Sequence, residues 1–227
     1  MGIETLPRCA VFCLLAVASL APHKGLATGW PDVLVPADAQ AQWVSSDMLY
    51  NGLEMRILRF DVDMTKNEVI AFYNKARKEK LVQNKIGPKT VLGYEENGYY
   101  VTVELSSTAG KTTGQLGMTK LPSRKPPAAG QGAIKPSLTK VYEDIVYRDV
   151  PGNPRSLRMG NQFSPYQNQK FYERALRAKG YVESESSSEC TASSQSCISY
   201  YQSNTGMAAI TTMRMEKETI VMMVQGK

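Results

Sequence analysis

Apolar positions along the chain follow two periods. Val69, Phe72, Tyr73 and Ala76 fall at i, i+3, i+4 and i+7, which makes one helical stripe. Phe171, Tyr172, Ala175 and Leu176 make a second. Each stripe follows a capping box: Thr65-Lys66-Asn67-Glu68 in the first case, Ser164-Pro165-Tyr166-Gln167 in the second. Pro165 sits at the first helical position, where its missing N–H costs nothing. Gly180 supplies a left-handed stop for the second helix. The aromatics of both stripes are expected to pack as core against a sheet.

Around the helices the period drops to two. Strands are predicted over 42–49 and 53–62, split by the hairpin signal Asn51-Gly52. After the first helix come strands 90–95, 99–105 and 115–120, with Asn97-Gly98 at a turn. The second set runs over 140–149, 155–162, 197–202, 207–215 and 219–225. The two capping boxes lie 99 residues apart, and at that offset Phe72-Tyr73 matches Phe171-Tyr172, Ala76 matches Ala175, Leu58-Arg59 matches Leu157-Arg158 and Arg56 matches Arg155. The expected fold is therefore α+β: two tandem β-β-α-β-β-β modules, each an antiparallel sheet covered by one helix. The expected domains are a first module over 28–120, a Pro/Gly-rich linker over 121–138, exposed and mostly extended, and a second module over 139–227.

The first 27 residues read as a signal peptide. Arg8 marks a short n-region, and the apolar run 9–21 is too short to span a bilayer. Gly25-Leu26-Ala27 is the better of two small-residue cleavage patterns, because Ser19-Leu20-Ala21 would leave Pro22 just past the cut. Cys13 lacks a lipoprotein context. The mature chain, starting near Thr28, holds no apolar run long enough to cross a membrane. It is expected to be periplasmic or secreted.

This placement has chemical consequences. The sole histidine, His23, leaves with the leader, and with it go Ser-His-Asp catalysis, Cys-His catalysis and His-ligated metal sites. Cys9 and Cys13 leave too. Cys190 and Cys197 remain in an oxidising compartment and are expected to form a disulfide. No catalytic residue, metal ligand set or cofactor is expected.

The glycines Gly98 and Gly206 lie 108 residues apart, against 99 for the helices, so the second copy gains nine residues between helix and hairpin. The gain falls in the Ser-rich stretch 183–199, which contains both cysteines. Ser186, Ser187, Ser188, Tyr200 and Tyr201 are the candidate partner-binding residues of this loop. The same stretch reads equally as a surface insertion stapled against proteolysis.

Charge adds a second candidate surface. The formal net charge is +6, and +5 once the leader with Arg8, Lys24 and Glu4 is removed. Lys75, Arg77, Lys78, Lys80, Lys85 and Lys89 crowd the end of the first helix and form a candidate anion-binding face, or simply a solvated helix end complementing the helix dipole. Asp61 and Asp63 project on one strand face and could do acid/base work; the plain alternative is favourable charge near a helix N-terminus. Gly110-Lys111-Thr112 lacks the upstream glycine and the strand-to-helix context of a phosphate-binding loop. Met213, Met215, Met222 and Met223 are expected to fill core.

Phe171-Tyr172-Glu173-Arg174-Ala175-Leu176, followed by Gly180-Tyr181, resembles a pattern in uncharacterised bacterial secreted and periplasmic envelope proteins, in which a helix of the type "FY…L…G-aromatic" lies between antiparallel strands. The likeness covers about half of each copy. It implies an envelope location, brings no known reaction and carries no functional residues over. The expected function is a non-enzymatic interaction protein, an accessory of an envelope assembly or secretion system whose partner is another envelope protein. The alternative is a binder of an anionic envelope glycan or lipid surface through the basic residues. A third reading is a carboxylate-dependent hydrolase of envelope glycans using Asp61 and Asp63. Nucleic acid is not an expected partner.

Overall fold

The computed structural model describes residues 29–185 and 187–227. The expected signal peptide, with Cys9, Cys13 and His23, lies outside the described residues, as does Ser186.

Local signals act where the sequence places them. Strands β1 (Gln40–Tyr50) and β2 (Leu53–Val62) are joined at Asn51-Gly52, with φ of 50° and 82°. Both central residues are left-handed, as a hairpin turn matched to strand twist requires. Helix α1 (Lys66–Arg77) starts on its box: Thr65 Oγ1 accepts the Glu68 N–H at 3.3 Å, and Glu68 Oε2 accepts the Thr65 N–H at 2.8 Å. A 3-10 turn, Lys78–Lys80, leads into β3 (Val82–Ile86), β4 (Lys89–Glu96), β5 (Tyr99–Thr108) and β6 (Lys111–Lys120). The second half contains β7 (Lys140–Tyr147), β8 (Arg155–Asn161), α2 (Pro165–Arg177), β9 (Val182–Glu183), β10 (Ser196–Ser203), β11 (Gly206–Arg214) and β12 (Thr219–Gly226). Ser164 and Gln167 form the reciprocal cap of α2 at 3.1 and 2.8 Å.

The expectation of two tandem modules, each with its own sheet and helix, is overturned. One antiparallel sheet of twelve strands runs through Pro31–Lys227, in the order β3-β4-β5-β6-β2-β1-β7-β8-β12-β11-β10-β9. The seam is β1 against β7, where Met48, Leu49 and Tyr50 pair with Tyr147, Val146 and Ile145. Hairpin signals and hydrophobic alternation specify each strand's near neighbour. They say nothing about what an outer strand meets across the chain. The repeat survives as a strand order that reads the same outward from the seam and as one capped helix in each half. Each half also holds a strand that the pattern missed. β3 is exposed at all five positions, and β9 is only two residues long, so neither shows alternation.

Register carries the two cores onto one face. Leu49, on the Leu58 side of the sheet, pairs with Val146, and Val146 pairs with Arg155, on the Leu157 side. Leu58, Phe60, Leu92, Val101, Val103, Leu116 and Met118 are buried in the first half with Val69 and Tyr73 of α1. Leu157, Met159, Ile210, Val221 and Met223 form the second core with Tyr172 and Leu176 of α2. Phe72 stands edge-on to Tyr73 with ring centroids 5.2 Å apart, and Phe171 to Tyr172 at 5.3 Å. Gly114 leaves room for the Phe60 ring opposite it, since a Cβ there would lie 2.1 Å from Phe60 Cζ. The methionine expectation is corrected in part. Met223 is core, but Met213, Met215 and Met222 are about half exposed; Met222 alternates with buried Val221 and Met223 and points to the opposite face.

Polar side chains fasten the seam. Asn51 Oδ1 accepts the Asp144 N–H at 2.9 Å, and its amide donates to the Tyr142 carbonyl at 3.3 Å. At the other end Asp149 accepts from the Ser45 hydroxyl at 3.0 Å and the Ser46 N–H at 2.6 Å. Behind the seam Asp144 takes a two-pronged ion pair from Arg155, at 2.7 and 2.8 Å, and the buried Gly130 N–H at 2.7 Å. Arg155 also donates to the Gln131 carbonyl at 3.1 Å, and Ala133 and Ile134 pack on the second core. The stretch 121–138 is thus exposed from Leu121 to Lys125 and docked at Gly130 and from Ala133 to Pro136, while Leu138 is 96% exposed.

Desolvation pushes the Asp144 carboxyl up. The Arg155 hydrogen bond, the Gly130 N–H and the Arg155 charge outweigh it and hold the group below the usual carboxylate range. A depressed folded-state pKa adds stability that is fully present above the unfolded value of about 3.9 and is lost as pH falls through the lower folded value. Asp144→Asn is expected to cost about 3 kcal/mol in urea unfolding at pH 7, because Arg155 is left without its charge partner. It should also flatten the acid limb of the stability–pH curve. An acid limb unchanged by the substitution would show that the pair does not contribute in this way.

Candidate functional site

A sheet that does not close has two edges, and an edge strand presents unpaired N–H and C=O groups. The two ends of this sheet treat that exposure differently. At the far end β9 covers only Gln202 and Tyr201 of β10. Beyond it the Ser-rich insertion takes over. The Ser184 N–H donates to the Tyr200 carbonyl at 2.8 Å, and the Ser188 N–H donates to the Ile198 carbonyl at 2.8 Å. Ser187 Oγ accepts the Tyr200 N–H at 3.0 Å, and Ser188 Oγ accepts the Ile198 N–H at 2.9 Å. Side chains and backbone of the loop therefore occupy the polar groups that a neighbouring strand would use. The Cys190–Cys197 disulfide, with a Cα–Cα distance of 5.5 Å, ties the loop to buried Cys197 of β10. Ser187 and Ser188 are thus edge caps, while Tyr200 is exposed and Tyr201 is core.

The other end has no such cover. β3 pairs with β4 on one side, and on the other it makes no hydrogen bond among the described residues. Val82 and Ile86 are 58% and 65% exposed.

The basic residues converge on this same end without forming one patch. Lys75 and Arg77 close α1, Lys78 and Lys80 lie in the following turn, Lys85 lies in β3 and Lys89 opens β4. Arg77 is taken up by the fold: it ion-pairs with Glu96 at 2.9 Å and lies over the Tyr94 ring at 4.7 Å. Lys89 pairs with Glu104 at 2.8 Å. Lys75, Lys78, Lys80 and Lys85 make no ion pair among the described residues.

Asp61 and Asp63 meet in a hollow of about 600 Å³ with Asp38, Lys111 and Thr112. Each is held by its own partner. Asp61 accepts from the Thr113 hydroxyl and from Arg59, and Asp63 pairs with Lys111 at 2.6 Å. The Thr113 hydrogen bond, with Arg59 behind it, keeps Asp61 below the ordinary carboxylate range. A general acid requires the opposite shift. Among the described residues no group of three His, Cys, Asp or Glu side chains is placed to hold a metal ion. Gly110 occupies a tight hairpin turn between β5 and β6 with φ of 80°.

The sequence did not point to β3 as the site. Its only trace was the unexplained stretch 82–86 between helix and hairpin. No protein-family profile matches the chain, and neither a curated protein nor a solved structure matches it. Among the described residues no helix is long and apolar enough to cross a membrane.

Removing the disulfide by Cys190→Ser together with Cys197→Ser is expected to cost about 2–3 kcal/mol. Amide exchange should rise first at Ile198 and Tyr200, whose N–H groups the loop serines cap. Faster exchange spread evenly over β10–β12, with none focused on those two amides, would show that the loop does not guard the edge.

Proposed function

We propose that the protein is a non-enzymatic interaction protein of the bacterial envelope, exported to the periplasm or secreted, that takes up an extended segment of a partner protein along β3. An accessory role in an envelope assembly or secretion system is the setting that fits. The observation that carries the reading is the asymmetry of the two edges. A loop with serine caps and a disulfide closes β10, while β3 is left open on the same sheet. Strand addition at an exposed edge is a recurrent mode of peptide recognition, with affinity drawn from main-chain hydrogen bonds. Export is supported by the n-region, apolar run and small-residue cut pattern of the first 27 residues and by a cysteine pair at disulfide distance.

Amide exchange of the purified protein, alone and with an envelope extract, tests this. The amides of 82–86 should gain protection on mixing, while those of 198–202 stay unchanged. Protection should persist at about 0.5 M salt, where the Debye length is below ~8 Å. Salt-sensitive binding that leaves β3 unprotected would replace this reading with the anion-binding one.

A further inference from the structure

Resting on the strand-addition reading, we infer that the segment taken up at β3 is acidic and amphipathic, with carboxylates alternating with apolar residues, and belongs to a different protein rather than to a second copy of this chain. Residues paired across antiparallel strands share a face. Gln83 pairs with Leu92 and Lys85 with Thr90, and both partners are buried beneath the helix layer. Lys85 therefore belongs to the helix-covered face. Val82, Asn84 and Ile86 belong to the other, where the Tyr100 hydroxyl lies over Gly93, the residue paired with Val82.

A strand laid along β3 inherits that division. Its residues on the open face meet Val82 and Ile86 and are best apolar. Its residues on the helix side meet Lys85, while Lys78 and Lys80 lie in the turn that enters β3 and Lys75 in the last turn of α1. All four lysines are without an ion pair among the described residues, whereas Arg77, Lys89, Lys111 and Lys120 each have one. The covered stretch is short: five residues span about 17 Å at 3.3–3.4 Å per residue.

The same charges oppose self-association. Two β3 strands paired antiparallel about Asn84 would place each Lys85 opposite the other copy's Gln83 and so make the two Lys85 side chains diagonal neighbours on one face. A lysine within an edge strand is a recognised device against such pairing. An acidic segment meets the reverse situation. Exposed pairs are individually weak, so several carboxylates acting together are needed for a tenfold effect.

The test uses the full chain and three labelled octapeptides: alternating Ile-Glu, alternating Ile-Lys, and a shuffled Ile/Glu sequence without alternation. The Ile-Glu peptide should bind about tenfold more tightly than the other two, and Lys85→Glu should remove most of its advantage over Ile-Lys. N-methylation of one alternate set of its amides should abolish binding while the other set is tolerated, which is the signature of one-sided strand pairing. Equal binding of Ile-Glu and Ile-Lys with that signature intact would keep strand addition and overturn the acidic preference. Binding of Ile-Glu unaffected by methylation of either set would overturn strand addition itself, as would no binding of any peptide. A dimer in sedimentation that the Ile-Glu peptide dissociates would show a second copy as the occupant and overturn the inference about the partner.

Discussion

The β1–β7 seam decides what this protein is. Only three residue pairs join the two halves by main-chain ladder, yet they turn two potential sheets into one. Separate sheets would present four edges, each a row of polar groups open to a foreign strand. The seam removes two. So short a ladder needs reinforcement, and it comes from groups that also satisfy the chain around it. Asn51 leaves its turn to bond the backbone at Tyr142 and Asp144, and Asp149 gathers Ser45 and Ser46. Asp144 then recruits Arg155 and the docked half of the connecting stretch, so the polypeptide joining the halves braces the seam it spans.

Two edges remain, and the divergence between the halves concerns them. Both halves bury a tyrosine at the same place on the helix, Tyr73 and Tyr172, each beside an edge-on phenylalanine. Packing keeps this aromatic pair, whereas buried Val62 and Val69 of the first half correspond to Asn161 and Asn168 of the second, which are buried and bonded to each other at 2.8 Å. The nine extra residues of the second half fall where they can close β10, and the first half has nothing comparable at β3. An insertion that can be read as tolerated surface loop is, in the structure, a set of hydrogen-bond donors and acceptors placed against a strand.

Much of the local structure was legible in the sequence. Both capping boxes, the left-handed turns at Asn51-Gly52 and Asn97-Gly98, and the alternation in 99–105 are decided by neighbours a few residues away. The cysteine pairing was legible because Cys9 and Cys13 fall in the segment read as a signal peptide, which leaves Cys190 and Cys197. The seam was not, because nothing in Met48–Tyr50 names Ile145–Tyr147 as its partner. β3 was hidden for a different reason. An edge strand exposed at all five positions shows no burial contrast, and the alternation of Val82 and Ile86 with Gln83 and Lys85 is too short to stand out, so Lys85 was assigned to the helix end. The serines were read as partner-binding candidates or as part of a tolerated insertion, since a hydroxyl standing in for a strand amide or carbonyl has no signature beyond its identity.

An open edge must accept one strand and refuse its own kind. β3 combines the features that permit this. It is five residues long, which limits the ladder any passing chain could form. It carries Lys85, which makes no ion pair among the described residues, so two copies paired antiparallel about Asn84 set two like charges diagonally on one face. An edge protected only by brevity would still pair with itself at high concentration; one protected only by charge would still accept any anionic surface. Alternation adds the missing discrimination, because Val82 and Ile86 lie on the face opposite Lys85 and only a strand with the complementary two-sided pattern satisfies both. Closing β10 belongs to the same arrangement. Among the described residues β3 is then the edge left for the strand addition proposed above.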